Sequence, residues 1–356
     1  MGALRKLSAP QLSAHPLAAL LLGENPMQFR KEFVFTIILT LAVAIFGSCR
    51  MPTDDGMRTP TTYSELNVMR IDGSGHKVIA DGGWEAIPTD SSIIFANGNF
   101  NLFKVNFDGS NLMQFYPATL WGDHALSPNG EKILLASGSF EKSGYLDELY
   151  LVNPDGSNLV KLGPPKGWYA WPRISPNLDE IVFYRDGGIG VINADGTNFH
   201  YVRSKTDSTS CSYAVYVDEN RILYFEESLP LHYIRLYNKT TGEDKIVGTN
   251  SGGFPAFGRA VVAPNLLITD IGTIKVFNVN TAEVQNIGSG WGASYSSDGS
   301  RIVANDKRSI YTMDAFGQNR LMIYSVKDSL KSINNPQFSL DNKYIVFQTM
   351  WSVYEF

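Results

Sequence analysis

From Tyr63 onward the chain is written in short apolar runs separated by compact polar punctuation. Runs this short, rich in β-branched and aromatic residues and bounded by Gly, Pro, Asn and Asp, predict strands joined by tight turns. One stretch, ELYLVNPDGSNLVKLGPPKGWYAWPRISPNLDEIVFYRDG from Glu148 to Gly187, holds the whole pattern. Leu149 to Asn153 reads as a strand, Pro154-Asp155-Gly156-Ser157 as a turn, and Asn158 to Leu162 as a second strand. After a Gly/Pro/aromatic loop, Pro172 to Ser175 and Ile181 to Tyr184 pair about Pro176-Asn177. Four strands in about 40 residues make the blade of a propeller.

The unit recurs. Asp-Gly turns fall at Asp72-Gly73, Asp108-Gly109, Asp155-Gly156 and Asp195-Gly196, with degenerate copies at Thr241-Gly242, Asn280-Thr281 and Phe316-Gly317. Gly73 and Gly317 are 244 residues and six steps apart, a mean of about 41. The other hairpin repeats in phase at Pro88-Thr89-Asp90, Pro128-Asn129-Gly130, Pro176-Asn177, Asp218-Glu219-Asn220, Pro264-Asn265, Ser297-Asp298-Gly299 and Leu340-Asp341-Asn342. The blades around Tyr213, Phe254 and Trp291 are the least regular, and Ser137 to Asp147 is the longest predicted loop.

SPNGEKILLAS (Ser127 to Ser137), ELYLVNPDGSNLVKL (Glu148 to Leu162) and SIYTMDAFGQNRLMIY (Ser309 to Tyr324) together resemble the TolB-like β-propeller repeat over about Leu66 to Phe347. The expected fold is all-β, a seven-bladed propeller of four-stranded blades, with six or eight as the neighbouring solutions. The hairpin Leu66 to Ile79 is expected to pair with Pro336 to Phe347, so that strands from the two ends of the chain close the ring and remove sheet edges. Trp351 to Phe356 reads as a further strand that competes for the place of Leu66 to Ile71. TolB proteins carry a helical domain before the propeller; none is visible here, which puts a Tol-system role in doubt.

The N-terminal sequence carries an address. Arg30 and Lys31 precede an uncharged run of 14 residues, Phe33 to Phe46. Its length suits a signal-peptide core rather than a bilayer span of about 20 residues. It stops at Gly47-Ser48-Cys49, which resembles a bacterial lipobox with Phe46 where that motif usually has Leu. The expectation is lipidation at Cys49; an ordinary signal peptide with an incidental Cys is the alternative. Because a complete signal begins at Met27, Met27 is the expected initiator. The expected domains are 1–48 leader and signal peptide, 49–62 flexible tether, and 63–356 propeller. Arg50, not Asp, follows the cysteine, and by the lipoprotein sorting rule the resemblance implies the outer membrane, periplasmic or surface-facing.

Composition narrows the chemistry. The 356 residues are 44% hydrophobic, 12% aromatic and 18% charged, with 32 Gly and 17 Pro, enough apolar mass for a large core. The net charge of −5 becomes −7 once four basic and two acidic residues before Cys49 are removed, so nucleic acid is not an expected partner. Two Cys cannot make a disulfide-dense scaffold or a four-thiolate zinc site, and five His at no short spacing point to no metal. Cys211 reads as a buried small apolar residue. There is no G-x-S-x-G elbow, and the Asp-Gly pairs lack calcium-loop spacing. No cofactor is expected.

Trp84, Trp121, Trp168, Trp171 and Trp291 all precede the predicted first strand of a blade, on the face that bears the wider loops. Asp123, His124, Tyr169, Arg173 and Arg185 accompany them, with Glu85 and Tyr213 nearby. Two readings stay open: the rings plug the seams between blades, or they line a funnel where a sugar or peptide stacks. The expected function is a monomeric, non-enzymatic, lipid-anchored envelope propeller that binds a protein, peptide or glycan on this face. The alternative is a glycan-active, lyase-like propeller using His124, Tyr169 and Arg173, since uronate β-elimination needs a base and a carboxylate neutraliser.

Overall fold

The turns set the fold. Between the third and fourth strands of a blade, an Asp carboxylate accepts the backbone N–H two residues on. Asp72 takes it from Ser74, Asp108 from Ser110, Asp155 from Ser157 and Asp195 from Thr197, at 2.8–2.9 Å. These bonds hold all four carboxyls below the usual carboxylate range and commit them to their own turns. The residue after the Asp is left-handed, φ +83° at Gly73; in the sixth copy Ala282, at φ +61°, stands where the fifth has Gly242, one residue past the expected Asn280-Thr281 pair. At Gly73 even a methyl would fail, because a Cβ there lies 2.1 Å from the Ile323 carbonyl oxygen. The other hairpin is closed by a buried hydroxyl. The Oγ atoms of Ser127, Ser175, Ser296 and Ser339 accept backbone N–H bonds at 2.9–3.0 Å from Lys132, Glu180, Arg301 and Tyr344.

In the computed structural model the described residues are 60–353, apart from 98, 100, 120–123, 142–143, 163–168, 207, 229–230, 251–253, 256–260, 263 and 271. They form seven antiparallel sheets arranged as a β-propeller. Blade 1 lies within Trp84–Thr119, blade 2 within His124–Lys161, blade 3 within Tyr169–Arg203 and blade 4 within Ser210–Asn250. Blade 5 lies within Phe254–Ser289 and blade 6 within Gly292–Ser325. Blade 7 is composite: its order is Lys77–Asp81, Thr61–Arg70, Tyr344–Val353, Ser332–Phe338. The expected closure by strands from both ends of the chain is therefore present, and the count is seven.

Three local expectations change. Trp351 to Val353 do not form a separate strand; they extend Tyr344–Val353, where the Trp351 ring stacks on Tyr63 with centroids 5.6 Å apart. Ser137 to Asp147 is not chiefly loop, because Ile133–Glu141 and Gly144–Val152 stay paired from Ile133↔Val152 to Glu141↔Gly144. Blades 4 and 6 are regular despite their degenerate sequences. Only blade 5 is not, since two two-residue strands, Phe254–Pro255 and Val261–Val262, share the place of its first strand.

The core is a ring of seams. Seven apolar clusters occur among the described residues, each shared by two neighbouring blades. Leu66, Val68 and Val346 of blade 7 pack on Ile93 and Phe95 of blade 1. Met69, Ile345 and Phe347 of the same blade pack on Val303 and Ile310 of blade 6. Among the described residues the first strands of neighbouring blades meet from blade 6 through 7, 1, 2 and 3 to 4, and so line the central channel. Fourth strands form the rim, where Val78, Met113, Val160, Tyr201, Ile246, Val284 and Leu321 are each exposed.

One titration tests the closing seam. The outer side of the His76 ring is exposed, but its other side lies 4.5 Å from Tyr324 and 5.8 Å from Phe347, and Nε2 is 2.9 Å from Asn67 Oδ1. Burial pushes its pKa below the ordinary 6.5, against the opposing pull of Glu65. The folded chain thus holds this proton less readily than the unfolded one. Its contribution is complete above pH 6.5 and is lost as pH falls from there through the folded pKa. Imidazole proton shifts followed by NMR should titrate with a midpoint below 6.5 in the native protein. A midpoint at or above it contradicts this packing.

Candidate functional site

The first strand of a blade is covered on both faces by neighbouring blades, so an exposed side chain on it looks toward the channel. Four of these strands contain a β-bulge at one repeat position. Register shifts occur between Trp84 and Ile87, Ala170 and Arg173, Ser212 and Val215, and Asn334 and Gln337. Inside each shift is a left-handed residue that is not glycine: Glu85 at φ +49°, Trp171 at +50°, Tyr213 at +48° and Asn335 at +48°. Each stands four residues before the residue that opens the first hairpin, Thr89, Ser175, Val217 and Ser339. All four are half-buried on strands that are otherwise largely buried. A bulge re-aims a side chain, and here all four occur at one repeat position of the innermost strands, with Tyr213 also packing partly buried on the cluster of blades 4 and 5. The first strand starts at the wide-loop face, so the four sit near that mouth.

The arrangement around the mouth has two sectors. Trp171 of blade 3 stacks on Tyr213 of blade 4, with centroids 4.0 Å apart and planes 23° from parallel; Tyr184 meets the Trp171 ring edge-on at 5.5 Å. Burial pushes the Tyr184 hydroxyl up to about 12, so it stays protonated. The other sector is polar. Glu85 of blade 1 holds His124 of blade 2, Oε2 to Nδ1 at 3.0 Å, with the imidazole almost wholly buried. His124 Nε2 has no hydrogen-bond partner among the described residues. Gln337 Nε2 donates to the Ala86 carbonyl at 3.0 Å and ties blade 7 to blade 1 beside Asn335.

The sequence-predicted residues separate. Trp171 lies at the mouth, and Arg173 is half-buried with Nη1 donating to the Pro172 carbonyl at 2.9 Å. Trp84 packs partly buried on the cluster of blades 1 and 2, which is the plug reading for that ring. Trp291 is 62% exposed and lies over Gly272. Tyr169 belongs to the seam of blades 2 and 3, buried and edge-on to Phe183 at 5.2 Å. Arg185 is buried with its guanidinium 4.9 Å from the Phe199 ring and its Nε 3.3 Å from Asp186 Oδ2. Trp121, Asp123, Trp168 and Cys49 lie outside the described residues. Glu85, Tyr213 and Asn335 join the mouth; their shared signal is the spacing of four to the hairpin.

Two other features are structural in chemistry. Cys211 is buried and its thiol is pushed up to about 12, chiefly by burial and then by Glu226, so it is a poor nucleophile at neutral pH. An open notch of about 520 Å³ lies on the hairpin-turn face between blades 1 and 2. Its lysines are already used there: Lys104 Nζ donates to the Pro154 carbonyl and Lys132 Nζ to Asn153 Oδ1, both at 2.8 Å. Among the described residues no cluster of three His, Cys, Asp or Glu is placed to hold a metal ion.

No protein-family description and no curated protein matches this chain. Solved structures do. A puromycin-hydrolysing peptidase of Mycobacterium tuberculosis is 11% identical, over 80% of this chain and 56% of that one, with a TM-score of 0.55. TolB of Acinetobacter baumannii is 16% identical, over 79% and 66%, with a TM-score of 0.46. An oligogalacturonate lyase of Vibrio parahaemolyticus is 12% identical, over 77% and 80%, with a TM-score of 0.45. At these identities the likeness is one of fold: the chain is a seven-bladed β-propeller with TolB structures among its neighbours.

Proposed function

We propose that this is an exported, lipid-anchored propeller that binds a glycan, peptide or protein partner at the loop-face mouth of its channel and does no chemistry on it. The four left-handed bulge residues carry this reading. Such backbone costs on the order of 1–3 kcal/mol at each non-glycine position and persists where the surrounding structure enforces it. Blade 6 supports the view that closure does not require it: at the equivalent position Gly292, Gly292–Tyr295 pairs with Arg301–Asn305 without a register shift. The bulges therefore serve placement of Glu85, Trp171, Tyr213 and Asn335. An aromatic sector facing a polar one suits a ligand that stacks on one side and hydrogen-bonds on the other. The address rests on the sequence from Met27 to Cys49.

A second reading has one observation in its favour, the buried His124 with Nδ1 on a carboxylate and Nε2 without a hydrogen-bond partner among the described residues, the wiring of a base. Tyr169, its proposed partner, is in the seam rather than at the mouth. A panel of neutral and acidic oligosaccharides, polyuronates and envelope peptides separates the two, scored for binding and for absorbance of unsaturated product. Binding without product is expected. Trp171→Ala should weaken it by about tenfold, the loss of one stacking contact of ~1 kcal/mol plus its buried area. Product formed by the wild type and abolished by His124→Ala supports the lyase reading instead.

A further inference from the structure

Strand topology fixes where the chain approaches the propeller. Glu65 pairs with Asp81, and Asp81 leads through Gly82 and Gly83 into the first strand of blade 1. That connection belongs to the wide-loop face, so Tyr63 is on this face, as its stacking on Trp351 also shows. In blade 7 the loop that would join the second strand to the third is replaced by the strand ending at Val353 and the strand beginning at Thr61. The 11 residues from Arg50 to Pro60 separate Cys49 from this point. Twelve Cα steps reach at most about 43 Å.

The surface beside that point has its own character. Trp291, Leu330, Tyr63 and Val353 are 62%, 69%, 42% and 40% exposed, all on the loop face between blade 5 and blade 7. Lys307, Arg308 and Lys327 are exposed in the same sector, with Asp328 as the exposed acid among these two loops. Exposed Trp and Tyr with flanking Lys and Arg suit the headgroup layer of a bilayer, where rings are half-immersed and cations meet phosphate.

We propose that the loop face of blades 6 and 7 is a membrane-contact surface, so that the channel mouth with Trp171 and Tyr213 opens toward the bilayer that anchors the chain. This rests on the anchor position at Cys49. The bound partner is then a slender molecule, or one held by the same membrane, since the tether leaves a gap of at most about 43 Å.

Energy transfer to a headgroup-labelled vesicle tests the orientation. The chain from Arg50 onward carries an N-terminal oligohistidine in place of Cys49 and is bound to chelating lipid in phosphatidylglycerol vesicles. A donor dye is placed by Leu330→Cys on the loop face or by Phe316→Cys on the hairpin-turn face; buried Cys211 is not labelled. Opposite faces are ~20 Å or more apart along strands of this length, so transfer from position 330 should exceed that from 316 about twofold. Lys307→Glu with Lys327→Glu should narrow the difference. Equal transfer, or more from 316, overturns the proposal. A difference that survives the two reversals overturns the headgroup contact and leaves the orientation to the tether. Because the lipid is supplied artificially, failure here is distinct from failure of lipidation, which the mass of the Cys49 peptide from cells reads directly.

Discussion

Phe347→Ala is expected to lower stability by about 3–5 kcal/mol, a large part of the 5–15 kcal/mol that holds a typical domain. Phe347 is fully buried in blade 7, in the cluster that joins this blade to blade 6. It also supports the His76 and Tyr324 rings, at 5.8 and 5.2 Å, so its loss empties the place where the N-terminal hairpin meets the C-terminal one. No covalent loop joins those two hairpins within the blade. Their union depends on side chains such as this, and on Asn67 Nδ2 donating to Thr349 Oγ1 at 3.0 Å and Lys331 Nζ to Glu65 Oε2 at 2.8 Å. Thermal melts check it, with a fall of roughly 2–3 °C per kcal/mol for a chain of this size. A fall of only a degree or two contradicts the closure described.

Glu226→Ala is expected to cost a similar ~3–5 kcal/mol for a different reason. Its carboxylate is buried between Arg203 of blade 3, at 3.0 Å, and Arg235 of blade 4, at 3.5 Å. Asp244 shares both cations, 3.2 Å from Arg235 and 4.0 Å from Arg203, and accepts the Tyr224 hydroxyl at 2.7 Å. Removing Glu226 leaves two guanidinium groups and one carboxylate in the seam. Urea unfolding of Glu226→Ala beside Glu226→Leu with Arg203→Met separates loss of packing from an uncompensated charge. The double variant should recover much of the stability. Recovery of none of it contradicts the charge argument.

Much of this was legible in the sequence because propeller turns are chemically specific. An Asp followed by a left-handed Gly and a hydroxyl residue closes a tight turn, as at Asp72, Asp108, Asp155 and Asp195 between third and fourth strands and at Asp298 in the other hairpin, and the period of about 41 in the first set marks the blades. The composite seventh blade followed from order alone, a second-half hairpin at one end and a first-half hairpin at the other. Blade 5 was harder, since Phe254–Pro255 and Val261–Val262 together replace one strand and carry no turn signal of their own. The site was legible only in outline. Sequence placed the Trp residues on the loop face, but whether a ring plugs a seam, as Trp84 does, or stacks across on the next blade, as Trp171 does on Tyr213, depends on a bulge one residue wide. Tyr169 and Trp171 are two residues apart, and the bulge sends one into the seam and the other to the mouth.

Hydrogen exchange of the native protein, with and without the tightest ligand from the glycan and peptide panel, tests the central claim most directly. Binding at the loop-face mouth predicts slowed exchange in the first strands that carry the bulges, Tyr169–Ile174 and Ser210–Tyr216 foremost, with Trp84–Pro88 and Ser332–Phe338 following. The hairpin turns around Asp108, Asp155 and Asp195 should be unchanged. Protection of those turns, with the bulged strands exchanging as before, would contradict the account.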